Sequence, residues 1–308
     1  MKKIKIKSPA TVANLSCGYD ILGLCLDEPS DYIEIEKITS SEVEIDILPS
    51  CFSNIPSNPE LNTGGVPAIQ IIKDLKLDFG FNIKIKKGIP LCGGLGSSAA
   101  TAAGVVYGIN KILNDALSFE QMIQYALEGE KLSSDSPHAD NIAPCILGGL
   151  VLVKETCPID VVRLPIGPFY LALLHPNIIV NTKYARKILP DKIPLKDAVK
   201  QWGNISALTY AFTTNNINLI STSMKDCIIE PVRSKLIDGF SSIKKSALDA
   251  GAMGSSISGS GPTIFALCKS KDSALDVKSS MEKAAKLNNL QYNSYISPIN
   301  YSGPQVVE

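Results

Sequence analysis

Gly88-Ile89-Pro90-Leu91-Cys92-Gly93-Gly94-Leu95-Gly96-Ser97-Ser98-Ala99-Ala100 is the stretch on which the reading of this chain turns. Its glycines let backbone N–H groups come close to an anion, and the small-residue run from Ser97 to Leu113 that follows reads as a buried helix. A helix N-terminus carries unpaired N–H donors and about half a positive charge, so phosphate is its natural ligand. The paired serines add hydroxyls for phosphate oxygens or a bound magnesium ion. The segment has neither the Gly-Lys-Ser/Thr ending of a Walker loop nor the third glycine of the dinucleotide fingerprint, and a glycine turn capping an ordinary helix remains the alternative at this point.

On either side of the loop the hydrophobic pattern alternates between periods. Ile4 to Ile6, Tyr32 to Ile35, Val43 to Leu48 and Phe81 to Ile85 have the alternation of strands, and Gly65 to Leu75 and Leu117 to Leu127 the spacing of helices. Beyond Lys154, Thr156-Cys157-Pro158 suggests a boundary. The second half follows in the order strand, several helices, strand, strand, helix, strand: Phe169 to Leu174, then helices including Asn181 to Leu189 and Leu195 to Tyr210. Thr263 to Cys268, Ala274 to Leu287 and Gln291 to Ile296 close the series. The expected class is α+β with helices and mixed strands.

Composition narrows the function. Among 308 residues, 30 basic side chains balance 30 acidic ones, so no charge surplus points to nucleic acid or an anionic membrane, and a small-molecule partner is expected. Eight cysteines are scattered without a C-x-x-C pair, the pattern of reduced thiols. The alternating N-terminus has no apolar core of a signal peptide, and no apolar run approaches the roughly 18 residues that would span a bilayer. A soluble, cytoplasmic protein is expected.

Two further segments carry chemistry. In Ser136-Pro137-His138-Ala139-Asp140-Asn141-Ile142-Ala143-Pro144-Cys145, an imidazole, a carboxylate and an amide crowd ahead of an apolar stretch. Such groups need partners, either a substrate hydroxyl or the backbone of a helix that Asp140 or Asn141 caps. Gly251 to Thr263 is a dense run of glycine and serine before an apolar strand. Each glycine costs about 0.5 to 1 kcal/mol of ordering free energy relative to alanine, which a close backbone approach to another loop or to a ligand would explain. A flexible connection between strands is the alternative.

In order and spacing these segments resemble the GHMP kinases, over nearly the whole chain. Within that superfamily the homoserine kinase family fits best, on Ser8-Pro9-Ala10-Thr11-Val12-Ala13-Asn14-Leu15-Ser16-Cys17-Gly18-Tyr19-Asp20-Ile21-Leu22-Gly23, on His138 to Pro144 with Gly148-Gly149, and on Glu230-Pro231-Val232-Arg233 with Gly239-Phe240. Cys92 departs from the smaller residue of the family pattern. The resemblance implies a two-domain fold: residues 1–157 as an ATP-binding half like domain 2 of ribosomal protein S5, residues 158–308 as a ferredoxin-like half, and the active site between them. Members are often homodimers, and the resemblance carries that expectation.

By the same resemblance, the chain is expected to transfer the ATP γ-phosphoryl group to the hydroxyl of L-homoserine, in threonine biosynthesis. Homoserine is a zwitterion, so its site needs a carboxylate for the ammonium and guanidinium groups for the carboxylate. The matching positions give Asn14 and Asp20 at the ammonium, and Arg186 and Arg233 at the carboxylate, with Thr182 and His138 nearby. Two of the three arginines of the chain thereby fall in one clamp. For ATP the implied contacts are the loop residues Pro90, Leu91, Cys92, Gly93, Gly94, Leu95, Gly96, Ser97, Ser98, Ala99 and Ala100, with Asn62 and Lys87 toward the adenosine portion. Ser98 and Glu130 are the implied magnesium ligands. The resemblance gives Asp140 as a base or electrostatic organiser, or Asn141 as the group that orients the hydroxyl while its proton is lost to phosphate. A sister kinase for a sugar or an isoprenoid alcohol, and a nucleotide-binding regulator that no longer catalyses, are the rival functions.

Overall fold

The structure is a computed structural model that describes residues 2–52, 54–132 and 138–307. Its first sheet is built from β1 (Lys3–Ala13), β2 (Leu22–Ile38), β3 (Val43–Ile47), β4 (Gly80–Lys86), β5 (Leu150–Thr156) and β6 (Ile159–Leu164). The long β2 organises it. One face of the ladder pairs β2 with β1 along most of its length, while its other edge is divided, the end at Tyr32–Ile38 pairing β4 and the start at Leu22–Leu24 pairing β5. β3 joins β4 in parallel. Helices α1 (Gly65–Asp74), α2 (Ser97–Ile112), α3 (Phe119–Glu130) and α4 (Ala139–Leu147) belong to this half.

α2 is the central helix and is buried over nearly its whole length. That is why its sequence is alanine, glycine and valine: a helix enclosed on all sides has no room for long side chains where it meets β1 and β2. A Cβ added at Gly104 would lie 2.6 Å from Ile33 Cδ1 and 2.7 Å from Ser8 Cβ.

The second sheet contains β7 (Tyr170–Pro176), β8 (Gly254–Ile257), β9 (Ile264–Cys268) and β10 (Tyr292–Pro298), antiparallel throughout in the order β10-β7-β9-β8. The expected strand and helix order holds, with α5 (Thr182–Lys187), α6 (Leu195–Thr213), α7 (Ile217–Ser223), α8 (Glu230–Arg233) and α9 (Phe240–Asp249) preceding β8, and α10 (Lys271–Leu287) between β9 and β10. β7 and β9 are apolar without interruption because each face of the sheet meets a different core. Leu171, Leu173, Phe265 and Leu267 join the large core shared with the first half. Ala172, Leu174, Ile264, Ala266 and Cys268 face α9 and α10.

Two features were not anticipated. Thr156-Cys157-Pro158 is the turn of a hairpin, since β6 pairs with β5 inside the first sheet. The chain crosses to the second sheet only over Pro165-Ile166-Gly167-Pro168. After β10 it returns, and a short β11 (Gln305–Val306) pairs with β1. No described helix is long and apolar enough to cross a membrane.

The close seating of α2 makes Gly104 a test of this packing. Gly104→Val should lower stability by about 1–3 kcal/mol through overpacking against Ile33 and Ser8, read as a lower urea midpoint.

Candidate functional site

A cleft of about 440 Å³ opens between the two sheets. At one end lies the glycine-rich loop with the N-terminus of α2. No side chain caps that helix, and its N-cap residue Gly96 is left-handed at φ 64°. The first N–H groups of α2 are thus left for an anion in the cleft. The glycines also have a second purpose. A Cβ on Gly94 would lie 2.2 Å from the Ser258 carbonyl oxygen, and one on Gly96 2.1 Å from Thr11 Oγ1. The loop is therefore pressed between the second glycine-serine run and β1.

Hydrogen bonds lock that contact. Ser258 Oγ donates to the Gly94 carbonyl at 2.5 Å, and Thr263 Oγ1 to the Gly93 carbonyl at 2.5 Å, joined by the Thr263 N–H at 3.2 Å. His175 Nδ1 lies 3.1 Å from Thr263 Oγ1, and burial pushes its pKa down to about 4, so the ring is neutral. The end of the glycine-serine run, Ser258 to Thr263, is accordingly a structural clasp on the loop, and the part before it, Gly254–Ile257, is strand β8.

The base of the loop is held by a buried ion pair. Asp31 accepts hydrogen bonds from the N–H groups of Gly88 at 2.9 Å and Ile89 at 3.1 Å and pairs with Lys87. Lys87 Nζ also donates to the Ser97 carbonyl at 2.7 Å and to Thr101 Oγ1 at 2.8 Å. Three partners use the three donors of its ammonium. Asn62 is similarly engaged, donating to the Pro56 carbonyl at 2.6 Å and accepting from the Gly64 N–H at 2.9 Å. Both residues line the cleft, but these bonds turn their polar groups into the fold. Of the expected loop contacts, Leu91, Cys92, Gly93, Gly94, Gly96, Ser97 and Ser98 line the cleft; Leu95, Ala99 and Ala100 are in the hydrophobic core, and buried Pro90 is not among the lining residues.

The other end of the cleft is charged. The opening motif turns through left-handed residues Asn14, Leu15 and Ser16 and again at Asp20, φ 60°. The Asp20 N–H donates to Asn14 Oδ1 at 3.1 Å, which sets the carboxylate. Arg186 Nη1 and Nη2 clamp that carboxylate at 3.0 and 2.9 Å, a bidentate pair, and His138 Nδ1 stands 3.6 Å away. Arg233, 3% exposed, donates from Nη1 to the Gly259 carbonyl at 3.0 Å and from Nε to the Ala185 carbonyl at 3.2 Å. Asn14 Nδ2 donates to the same Gly259 carbonyl at 3.0 Å. Thr182 lies at the rim, its Oγ1 3.3 Å from Ser260 Oγ.

One ring organises the arginines. Tyr19 has both guanidiniums against it, Arg186 at 5.4 Å and Arg233 at 5.1 Å from the ring centroid. Tyr19 lies within the opening motif, where nothing in the neighbouring residues marks it as the support of two arginines. Burial lowers the pKa of His138, against the pull of Asp20, and the buried His138 Nε2 has no hydrogen-bond partner among the described residues.

Between the two ends sit Asp140 and Asn141, in the first turn of α4. Thr11 Oγ1 donates to Asn141 Oδ1 at 2.7 Å, which leaves the amide N–H groups for other partners, and Asn141 Nδ2 is 3.4 Å from Asp140 Oδ1. Asp140 is 3% exposed. Burial first, and then the charges of Asp20 and Glu130, push its pKa up to about 7. Neither residue is the N-cap, a position held by His138; Ser136 and Pro137 of the same motif lie outside the described residues. Ser98 and Glu130 both line the cleft, a hydroxyl and a carboxylate of the hard-oxygen kind that suits magnesium. No cluster of three or more His, Cys, Asp or Glu that could hold a metal occurs among the described residues, so such an ion would need further oxygens from a nucleotide.

Known proteins resemble this chain over its whole length. The model of the GHMP kinases N terminal domain matches residues 66–149, and that of the GHMP kinases C terminal matches residues 208–287. The homoserine kinase of Chlorobium phaeobacteroides is 36% identical over 100% of both chains. That of Methanococcus maripaludis is 42% identical over 90% of this chain and 91% of its own. The crystal structure of homoserine kinase from Cytophaga hutchinsonii superposes with a TM-score of 0.96 at 42% identity, covering 100% of this chain and 98% of the other.

The buried Asp140 has a consequence for stability. Its native pKa of about 7 lies above the unfolded value of 3.8, so the folded protein holds a proton that the unfolded chain has already released. Stability is therefore lost as pH rises between those values. Melting temperatures of wild type and Asp140→Asn, measured from pH 4 to pH 8, should diverge in favour of the variant as pH rises.

Proposed function

The chain belongs to the homoserine kinase family of the GHMP kinases, and from that premise we propose how its cleft carries out the reaction. The γ-phosphoryl group of ATP passes to the side-chain hydroxyl of L-homoserine, giving O-phospho-L-homoserine and ADP, a step of threonine biosynthesis. The observation that carries this reading is that Asp20, Arg186 and Arg233 line the same cleft as Ser97 and Ser98 at the start of α2. A zwitterion fits there: its ammonium adds to the carboxylate of Asp20 and the carbonyl side of Asn14, and its carboxylate meets the two guanidiniums. In this reading Thr182 and His138 Nε2 complete its hydrogen bonds. A sugar or isoprenoid alcohol would leave this charged end without use.

The phosphates of ATP lie against the N–H groups at the start of α2, with Leu91, Cys92, Gly93, Gly94, Gly96, Ser97 and Ser98 around them. Asn62 and Lys87 support the nucleotide end through the backbone they hold. Ser98 and Glu130 would hold magnesium, whose charge offsets that building on the phosphates during transfer.

Phosphoryl transfer depends chiefly on alignment and charge. Asn141, whose oxygen is occupied by Thr11, orients the hydroxyl by donating to it. Asp140, with its pKa near neutrality, is matched to take the proton as the new P–O bond forms. The domain division that goes with this reading runs through residues 165–168, in place of the expected 157/158, with the tail after β10 returning to the first half. The protomer is taken to act as a homodimer on family likeness.

A coupled ADP assay tests the substrate, run with L-homoserine, mevalonate and galactose side by side. L-homoserine should be turned over well above the others. Arg233→Ala should cut kcat/KM for L-homoserine by about 30- to 100-fold while leaving the KM for ATP nearly unchanged. Asp140→Asn should lower kcat by about 10²–10⁴-fold, and near-normal turnover would remove its role as base.

A further inference from the structure

The two ends of the amino-acid clamp come from distant parts of the chain. Asp20 and Tyr19 belong to the loop after β1, whereas Arg233 is carried on α8, a helix of one turn. So short a helix has little stability of its own and must be fixed from outside. The fixing group is Asp226. Its Oδ1 accepts from the N–H groups of Ile228 at 2.9 Å and Ile229 at 3.0 Å, and its Oδ2 from that of Glu230 at 2.9 Å. One carboxylate thus gathers the backbone donors at the head of α8.

Asp226 is tied in turn to the opening loop by a single side chain. Gln201, on α6 and 8% exposed, donates from Nε2 to Asp226 Oδ1 at 3.0 Å and to the Cys17 carbonyl at 3.1 Å. Its Oε1 accepts from the Cys227 N–H at 3.1 Å. The buried amide is saturated, and it spans the loop that presents Asp20 and the cap of the helix that presents Arg233. On the far side, Glu230 anchors the same helix to Ser256 and Lys244, each at 2.5 Å. Neither Gln201 nor Asp226 lines the cleft.

We infer that Gln201 and Asp226 are positioning residues that set the placement of Arg233 relative to Asp20 and so determine selection for an α-carboxylate on the substrate. The inference rests on the substrate reading above. A buried amide of this kind is costly to leave half-satisfied, so its loss is relieved by movement of one of the two segments it joins. Movement of α8 weakens the grip on the substrate carboxylate and leaves the nucleotide end intact.

The test compares L-homoserine with 3-aminopropan-1-ol, which keeps the ammonium and hydroxyl but lacks the carboxylate. In Gln201→Met, similar in length and without the amide, the KM for L-homoserine should rise about tenfold, the KM for ATP should stay within about twofold, and the kcat/KM ratio of the two alcohols should fall about tenfold. Adding Gln201→Met to Arg233→Ala should not lower the ratio further, because the two substitutions remove one recognition. Asp226→Asn, which keeps one acceptor oxygen, should shift the ratio the same way by about threefold and serves where Gln201→Met does not fold. A lower melting temperature with an unchanged ratio, or additive effects in the double variant, would overturn the positioning role alone. Wild-type protein that fails to phosphorylate L-homoserine would overturn the substrate reading, and the inference with it.

Discussion

The phosphate end of the cleft depends on one enclosed ion pair, Asp31 with Lys87. Asp31 grips the backbone where the loop begins, at Gly88 and Ile89, and Lys87 grips the Ser97 carbonyl where the loop ends and the Thr101 hydroxyl one turn into α2. Two charges taken out of water cost several kcal/mol each, which only saturated hydrogen bonding can offset. Here both groups are saturated by loop backbone or by Thr101. The pair therefore works as a frame: the loop cannot relax without exposing a buried charge, and α2 is held at a fixed distance from β2. The clasp from Ser258 and Thr263 then sets the loop from above, which brings the second half of the molecule into contact with the phosphate site.

The amino-acid end follows a different logic. Asp20 and Arg186 satisfy each other, while Arg233 rests on carbonyl oxygens and on the ring of Tyr19. Desolvation lowers the pKa of Arg233, yet a guanidinium stays charged in any protein environment. A zwitterion brings one charge of each sign and leaves the local sum unchanged. The neutral His138 adds none. Asp140, pushed up to about 7, is then a group of the cleft whose charge can vary near neutral pH.

Much of this was legible in the sequence because the informative features are local. Alternation in β1 to β4, the small side chains of α2 and the positive-φ turn at the glycines all follow from neighbouring residues. The class, the strand and helix order and the family resemblance came from these. What escaped depends on partners far along the chain. Lys87 looked available for a nucleotide because Asp31, 56 residues earlier, gave no sign of facing it. Leu95, Ala99 and Ala100 lie in the loop motif but point into the core, a distinction of helix phase that a motif match passes over. The β5–β6 hairpin was missed because a proline and a cysteine at its turn imitate a linker, and β11 is too short to show a period. Tyr19 was within the quoted motif, but only packing shows that both arginines share its ring.

β7 and β9 each give alternate side chains to two cores, and this has a consequence for how the molecule comes apart. A strand that walls off two apolar compartments cannot leave one of them without breaching the other. The second half has an interior of its own beneath α9 and α10, but the other face of the same two strands is covered only while the shared core stays closed. Parting the halves would bare Leu171, Leu173, Phe265 and Leu267 to water, an apolar cost that couples the opening of one half to the other.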